Sequence, residues 1–275
     1  MCCIKRTGSN VLGHALATTG MAGRPVEYFN PVEQEKPWMR EILSDSTLLD
    51  GLPKILAAGT TPNGLFGAKV HWAHFQYLGL IVSGRWNGTK RGTLYDLLRS
   101  RISNLCSQAA ALELLRSRFS NVTALSSAYT LLQSRIPDLR MIWLRRQNMV
   151  ARAISHFRAR QTGIWHQSLS QNREVLPKQT HDFDFAEIRC LHYLGIFQEE
   201  CWQKFFQQHE ILPHCVVYEE LVADHEATVR RALKFLDIDG KQVPISRPVS
   251  LKQSDALSEE WEKRYRKLIA EGGLS

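Results

Sequence analysis

An apolar stub, Cys2-Cys3-Ile4, runs into a polar turn, Lys5-Arg6-Thr7-Gly8-Ser9-Asn10, and then into an amphipathic stretch. Val11, Leu12, Ala15 and Leu16 recur at helical spacing across residues 10–19, and Gly20 is a natural C-terminal stop. Strand, glycine turn and helix in that order constrain the fold more than any other feature. Strands separated by helices imply parallel crossovers. The order recurs further on. Residues 66–72 read as a strand after the turn signal Pro62-Asn63-Gly64. Residues 141–144 read as a compact strand, followed by a helix over about 148–161 with Met149, Val150, Ala153, Ile154 and Phe157 on one side. Residues 184–209 are a long helical stretch, 215–218 a short strand, and 227–236 and 258–269 helices. The polar stretch 84–101 reads as a loop. The alternation predicts a single α/β domain over residues 1–275, three layers deep, with a central parallel sheet flanked by helices. Ligands in such sheets bind at the carboxyl ends of the strands.

The turn at residues 5–10 sits where backbone N–H groups and a helix dipole favour an anion. Gly8 permits close backbone approach. Thr7, Ser9 and Asn10 offer side-chain donors, and Arg6 a planar charged fork. In isolation, such a turn is more often a plain helix cap than a binding site. The pattern G-x-x-x-x-G-K-[ST] is absent, which counts against an ATPase or nucleotide kinase.

Charge asks for an anionic partner without naming one. Lys plus Arg number 35 against 27 Asp plus Glu, leaving +8. Nucleic acid, a membrane surface and a phosphorylated ligand all satisfy that balance. The basic residues are spread along the chain and form no aromatic-interleaved tract, so nucleic acid ranks last. No apolar run has the length of a membrane span. Cys2, Cys3, Cys106, Cys190, Cys201 and Cys215 make no C-x-x-C pair and no common zinc spacing, and residues 1–4 are too short for a signal-peptide core. The expectation is a cytoplasmic protein with reduced thiols and no metal.

The stretch after the turn is more specific. Gly8-Ser9-Asn10-Val11-Leu12 leads to Ala17-Thr18-Thr19-Gly20-Met21-Ala22-Gly23-Arg24-Pro25 and then to Val26-Glu27-Tyr28-Phe29-Asn30. This run resembles the trehalose 2-sulfotransferase family, a bacterial branch of the sulfotransferases that use 3′-phosphoadenosine-5′-phosphosulfate. That family shows an R-[ST]-G-S-T-type turn, a short helix, then A-T-G-x-A-G-x-P-x-E-[YF]-F. The likeness continues, in order, through Gly67-Ala68-Lys69-Val70-His71-Trp72, Leu144-Arg145-Arg146, Ala153-Ile154-Ser155, Arg158-Ala159-Arg160-Gln161-Thr162-Gly163 and Ser258-Glu259-Glu260-Trp261. It implies a P-loop-like sulfotransferase fold, that sulfuryl donor, and a carbohydrate or glycolipid acceptor such as trehalose. The family forms dimers in places, so it also implies a homodimer. Family members carry a full first strand. This chain begins five residues before Arg6, so its central strand is expected to be trimmed.

The resemblance also assigns roles. Arg6, Thr7, Gly8, Ser9 and Asn10 match the loop that holds the 5′-phosphosulfate, with Asn10 standing where the family usually has Thr. Arg146 and Ser155 match the pair that holds the 3′-phosphate, Arg145 being the substitute. Glu27 matches the general base, which takes the acceptor hydroxyl's proton as the S–O bond forms. Lys69 and His71 alternate on the predicted strand and face one side. Other sulfotransferases place such a pair at a strand end, so Lys69 is a candidate donor to the transferring group and His71 the alternative base. A structural place for His71 beside Trp72 fits the sequence equally well. Tyr28, Phe29, Gln161 and Trp165 are candidate acceptor-pocket residues. Lys252, with Gln253, is a candidate donor contact from the C-terminal segment. Without the resemblance, plainer readings hold: surface charge for Glu27 and Arg146, helix surface for Ser155, core for the aromatics. One rival is a kinase-like enzyme, disfavoured by the missing Walker lysine. Another is a relative that binds a phosphoadenosine ligand or a partner without turnover.

Overall fold

The computed structural model describes residues 1–86, 94–101, 107–119, 122–165, 182–240, 243–248 and 256–272. Its strands are β1 (Cys2–Cys3), β2 (Val70–His71), β3 (Ile142–Arg145) and β4 (His214–Val217). All pair in parallel, in the order β2-β1-β3-β4. The helices are α1 (Ser9–Thr18), α2 (Pro37–Leu43), α3 (Leu52–Gly59), α4 (Trp72–Val82), α5 (Leu94–Arg101), α6 (Gln108–Phe119), α7 (Val122–Arg135), α8 (Met149–Thr162), α9 (Phe185–Gln208), α10 (Tyr218–Ala223), α11 (His225–Phe235) and α12 (Ala256–Ala270). This is the α/β architecture the alternation predicts.

The pleat explains the layering. Successive residues of a strand point to opposite faces. Cys2 and Trp143 therefore join Phe75, Trp202, Phe205 and Phe206 on one face. Cys3, Ile142, Leu144 and Val216 join Leu12, Leu16, Val229 and Leu233 on the other. Burying aromatic and aliphatic side chains of this size contributes roughly 1.5–3 kcal/mol each. Trp202 also donates from Nε1 to the Cys3 carbonyl at 3.1 Å, tying α9 to the central strand. Helix starts follow from short polar caps. Asn148 accepts from the Ala151 N–H at 3.0 Å, Asp184 from Glu187 at 2.8 Å and Asp224 from Ala227 at 3.0 Å.

The sheet order has a functional consequence. From β1 the chain goes to β2 on one side, then crosses to β3 on the other. The switch point lies between β1 and β3, and ligands of such sheets bind over the carboxyl ends at that point. Arg6 follows β1 there, and Arg146 follows β3.

Two segments differ from the sequence-based expectation. The strand predicted over 66–72 is pared to β2. Phe66 makes an isolated antiparallel bridge with Thr60, Ala68 a parallel one with Val26, and Trp72 opens α4. The Gly67 and Gly23 backbones cross so closely here that a Cβ on Gly23 would lie 2.2 Å from the Gly67 nitrogen. The stretch read as a loop over 84–101 contains α5 instead. Leu98 is fully buried there against Cys190, Tyr193 and Leu194 of α9, and Arg99 pairs with Asp184 at 3.3 Å. Lys252, Gln253 and Cys106 lie outside the described residues.

Candidate active site at the carboxyl edge of the sheet

The turn after β1 is built from the inside. Thr7 is fully buried, and its hydroxyl donates to the Ile4 carbonyl at 2.9 Å. Its side chain closes the turn and does not face a ligand, contrary to the expectation for it. Arg6 and Gly8 both take positive φ, 71° and 86°. Gly8 is required twice over, because a Cβ there would also fall 2.6 Å from Cδ2 of Tyr218. Val11 is the first residue of α1 whose N–H meets a carbonyl of its own helix, Gly8 O at 3.0 Å. The N–H groups before it have no intrahelical partner and lie at the positive end of the dipole. Ser9, buried, begins the helix, and Asn10, exposed, follows it.

Cations crowd this edge. Arg146 donates from Nη1 to the Arg6 carbonyl at 3.2 Å and lies over the Tyr218 ring, 4.5 Å from its centroid. Its Nε is buried with no partner. Arg6 donates from Nε to the Ser155 hydroxyl at 2.9 Å and from Nη1 to the Trp165 carbonyl. Burial, with Arg146 alongside, lowers the Arg6 pKa to about 10, so it stays charged at neutral pH. Lys5 sits 5.0 Å from the Trp165 ring centroid. Among the described residues, Lys5, Arg6, Arg146 and Arg152 make no ion pair with a carboxylate within 4.0 Å. Arg145, by contrast, bonds Glu199 at 2.8 Å and stacks on Trp143. The structure therefore joins Arg146, not Arg145, to the turn after β1.

Glu27 stands beside this edge, placed by the Val26–Ala68 bridge. Its Oε1 meets Lys69 Nζ at 2.8 Å and His71 Nε2 at 3.3 Å. Its Oε2 accepts from Asn30 Nδ2 at 2.8 Å. The alternation of Lys69 and His71 thus does bring both to one face. Lys69 Nζ also reaches Asn10 Oδ1 at 2.5 Å, linking the start of α1 to the carboxylate. Behind His71, Nδ1 contacts Cys3 Sγ at 3.4 Å. Burial alone would raise the Glu27 pKa. The hydrogen bonds and charges of His71 and Lys69 outweigh it and hold the carboxyl well below the usual carboxylate range. Burial would lower His71, but the Cys3 sulfur and the Glu27 carboxylate raise it to about 9. His74, packed edge-on to His71 at 5.1 Å, is held neutral by burial and then by its charged neighbours.

The remaining candidates divide. Trp165, 38% exposed, does overhang the turn. Gln161 donates to the Asp182 carbonyl at 3.2 Å, with its Oε1 buried and unpartnered. Tyr28 and Phe29 are 2% and 1% exposed and belong to the core, Tyr28 packing against Trp38 and Phe66. Phe29 lines a cavity together with Met1, Pro25 and Trp202, but that cavity includes neither Glu27 nor Arg6. Sequence reasoning missed Asn30, Tyr218 and Arg152. Asn30 lies three residues after Glu27 in the same run. Arg152 left one signal: a charge between Val150 and Ala153, inside an apolar helical face.

A parallel sheet with an anion-ready turn at its switch point and a carboxylate beside it is the kind of site that binds an anionic ligand. The profile of the Stf0 sulphotransferase family matches residues 1–85 and 99–268, and the chain belongs to that family. It is a sulfotransferase. Two curated relatives are each 26% identical to it. Trehalose 2-sulfotransferase of Mycolicibacterium smegmatis (strain ATCC 700084 / mc(2)155) aligns over 98% of this chain and 94% of its own length. Trehalose 2-sulfotransferase of Mycobacterium tuberculosis (strain ATCC 35801 / TMC 107 / Erdman) aligns over 95% and 91%. Among the described residues no helix is long and apolar enough to cross a membrane.

Proposed function

We propose that this sulfotransferase moves a sulfuryl group from 3′-phosphoadenosine-5′-phosphosulfate to a hydroxyl of a carbohydrate or glycolipid acceptor, with trehalose the first acceptor to try. The observation that carries the reading is that Arg6, Arg146 and Ser155 meet at the turn after β1 while Lys69 links the same turn, through Asn10, to the Glu27 carboxylate. The donor suits the residues present. Arg6, Gly8, Ser9 and Asn10 offer a cationic fork and free N–H groups for the phosphosulfate, and Arg146 and Ser155 a fork and a hydroxyl for the 3′-phosphate. The buried, unpartnered Nε of Arg146 is the kind of donor an anion would satisfy. The donor itself supplies the activated sulfur.

Glu27 is the base in this proposal, and His71 is not. Both ring nitrogens of His71 are engaged, by Cys3 and by Glu27, and the ring is buried. Glu27 keeps 21% of its side chain exposed. A weak base suffices, because the hydroxyl proton becomes strongly acidic once its oxygen bonds to sulfur. Lys69 and Arg6 stabilise charge on the transferring and leaving groups, the electrostatic role that dominates group transfer of this kind. None of the five described cysteines is in a disulfide, which suits a reducing compartment such as the cytoplasm.

The test is transfer of radiolabelled sulfate from the donor to a panel of sugars and glycolipid precursors that includes trehalose. Label on a sugar hydroxyl is the expected result. No transfer to any acceptor, with the protein folded and the donor intact, contradicts the proposal.

A further inference from the structure

Four consecutive carbonyls running from β1 into the turn after it are each capped by a side-chain donor. Trp202 bonds Cys3 O at 3.1 Å, Thr7 bonds Ile4 O at 2.9 Å, Arg152 bonds Lys5 O at 3.2 Å, and Arg146 bonds Arg6 O at 3.2 Å. In a trans peptide the N–H points opposite the preceding C=O. Each carbonyl drawn inward therefore aims the next N–H outward. Capping Lys5 O aims the N–H of Arg6, and capping Arg6 O aims that of Thr7.

Arg152 is the member of this set with no other evident task. It is 2% exposed and lies within α8, beneath the turn. Its second hydrogen bond runs from Nη2 to the Leu191 carbonyl on α9. Gly195, one turn further along α9, makes room for it: a Cβ there would lie 2.2 Å from Nη2 and 2.4 Å from Cζ. Burial, with Arg146 nearby, lowers its pKa to about 10, so the guanidinium is charged at neutral pH. Glu199, whose field reaches it, is already bonded to Arg145. A buried cation is costly unless an anion offsets it. Here the anion-ready turn lies directly above.

We propose that Arg152, seated in the notch left by Gly195, is a positioning residue for the donor turn: it holds the Lys5 carbonyl inward, keeps the turn's N–H groups aimed outward, and adds buried positive charge beneath them. Arg152 touches no donor atom and acts through the backbone. The proposal rests on the donor reading above.

The experiment is calorimetric titration of the full chain with adenosine 3′,5′-bisphosphate, for wild type, Arg152→Met, Arg152→Lys and Gly195→Ala. The donor KM, the acceptor KM and the melting temperature are measured on the same preparations. Misplacement of a binding group by about 1 Å can cost on the order of 100-fold. Arg152→Met is expected to weaken the bisphosphate about 10- to 100-fold and to raise the donor KM alike, with the acceptor KM unchanged. Arg152→Lys recovers part of the affinity. Gly195→Ala, which keeps the charge but displaces the guanidinium, weakens binding in the same direction. A lowered melting temperature with unchanged bisphosphate affinity in the folded variants would show a packing role only and overturn the proposal. Wild type that binds no bisphosphate overturns the donor reading and this proposal together.

Discussion

Glu27 and His71 form a pair whose charges hold each other. The ring has a folded pKa of about 9 against an ordinary 6.5. A group raised on folding stabilises fully below its unfolded value, and that stability is lost as pH rises through the folded one. His71 therefore contributes below about pH 6.5, and its contribution disappears as the pH passes 9. Glu27 shifts the other way and costs stability only in acid, as it protonates. Melting temperatures recorded from pH 6 to 10 should fall more steeply for wild type than for His71→Gln. Parallel curves would show that the two groups are not coupled as the geometry says. Cys3, fully buried against the same ring, gives His71 its fixed orientation.

At the scale of elements, the donor turn depends on backbone shape. Gly8 combines positive φ with contact against Tyr218, the first residue of α10. An L-residue in that conformation costs about 1–2 kcal/mol before any clash is counted. Gly8→Ala should lower the urea midpoint by at least that equivalent and weaken bisphosphate binding. An unchanged midpoint would contradict the packing described. This turn was legible in the sequence because its chemistry is contiguous: a glycine and five polar residues between a stub and a helix. The meeting of Glu27 with Lys69 and His71 was legible only in part. Strand alternation put the two partners on one face, but their contact with Glu27 needs the Val26–Ala68 bridge across 42 residues, which no local pattern encodes. Burial of Tyr28 and Phe29 in the core was not legible, because an aromatic side chain reads alike in a core and in a pocket. α5 was missed because its buried contact, Leu98, is made with a helix about 90 residues later. Arg152 shows the same limit, since its meaning depends on Gly195 of α9.

At the scale of the whole molecule, the sheet order assembles parts that lie far apart in the chain. β1 and β3 bring Arg6 beside Arg146 and Ser155, and β2 brings Lys69 and His71 to Glu27. The net charge of +8 is thereby given a local focus: Lys5, Arg6, Arg146 and Arg152 converge at the turn after β1, the place proposed for the donor. In the proposed function, donor binding and proton removal fall to different residues, and they should be separable. The direct measurement is sulfuryl transfer and bisphosphate affinity determined side by side in Glu27→Gln. Loss of a general base slows a reaction about 10²- to 10⁴-fold. The account predicts a fall of that order in transfer, with bisphosphate affinity within about twofold of wild type. Full transfer by Glu27→Gln would contradict it.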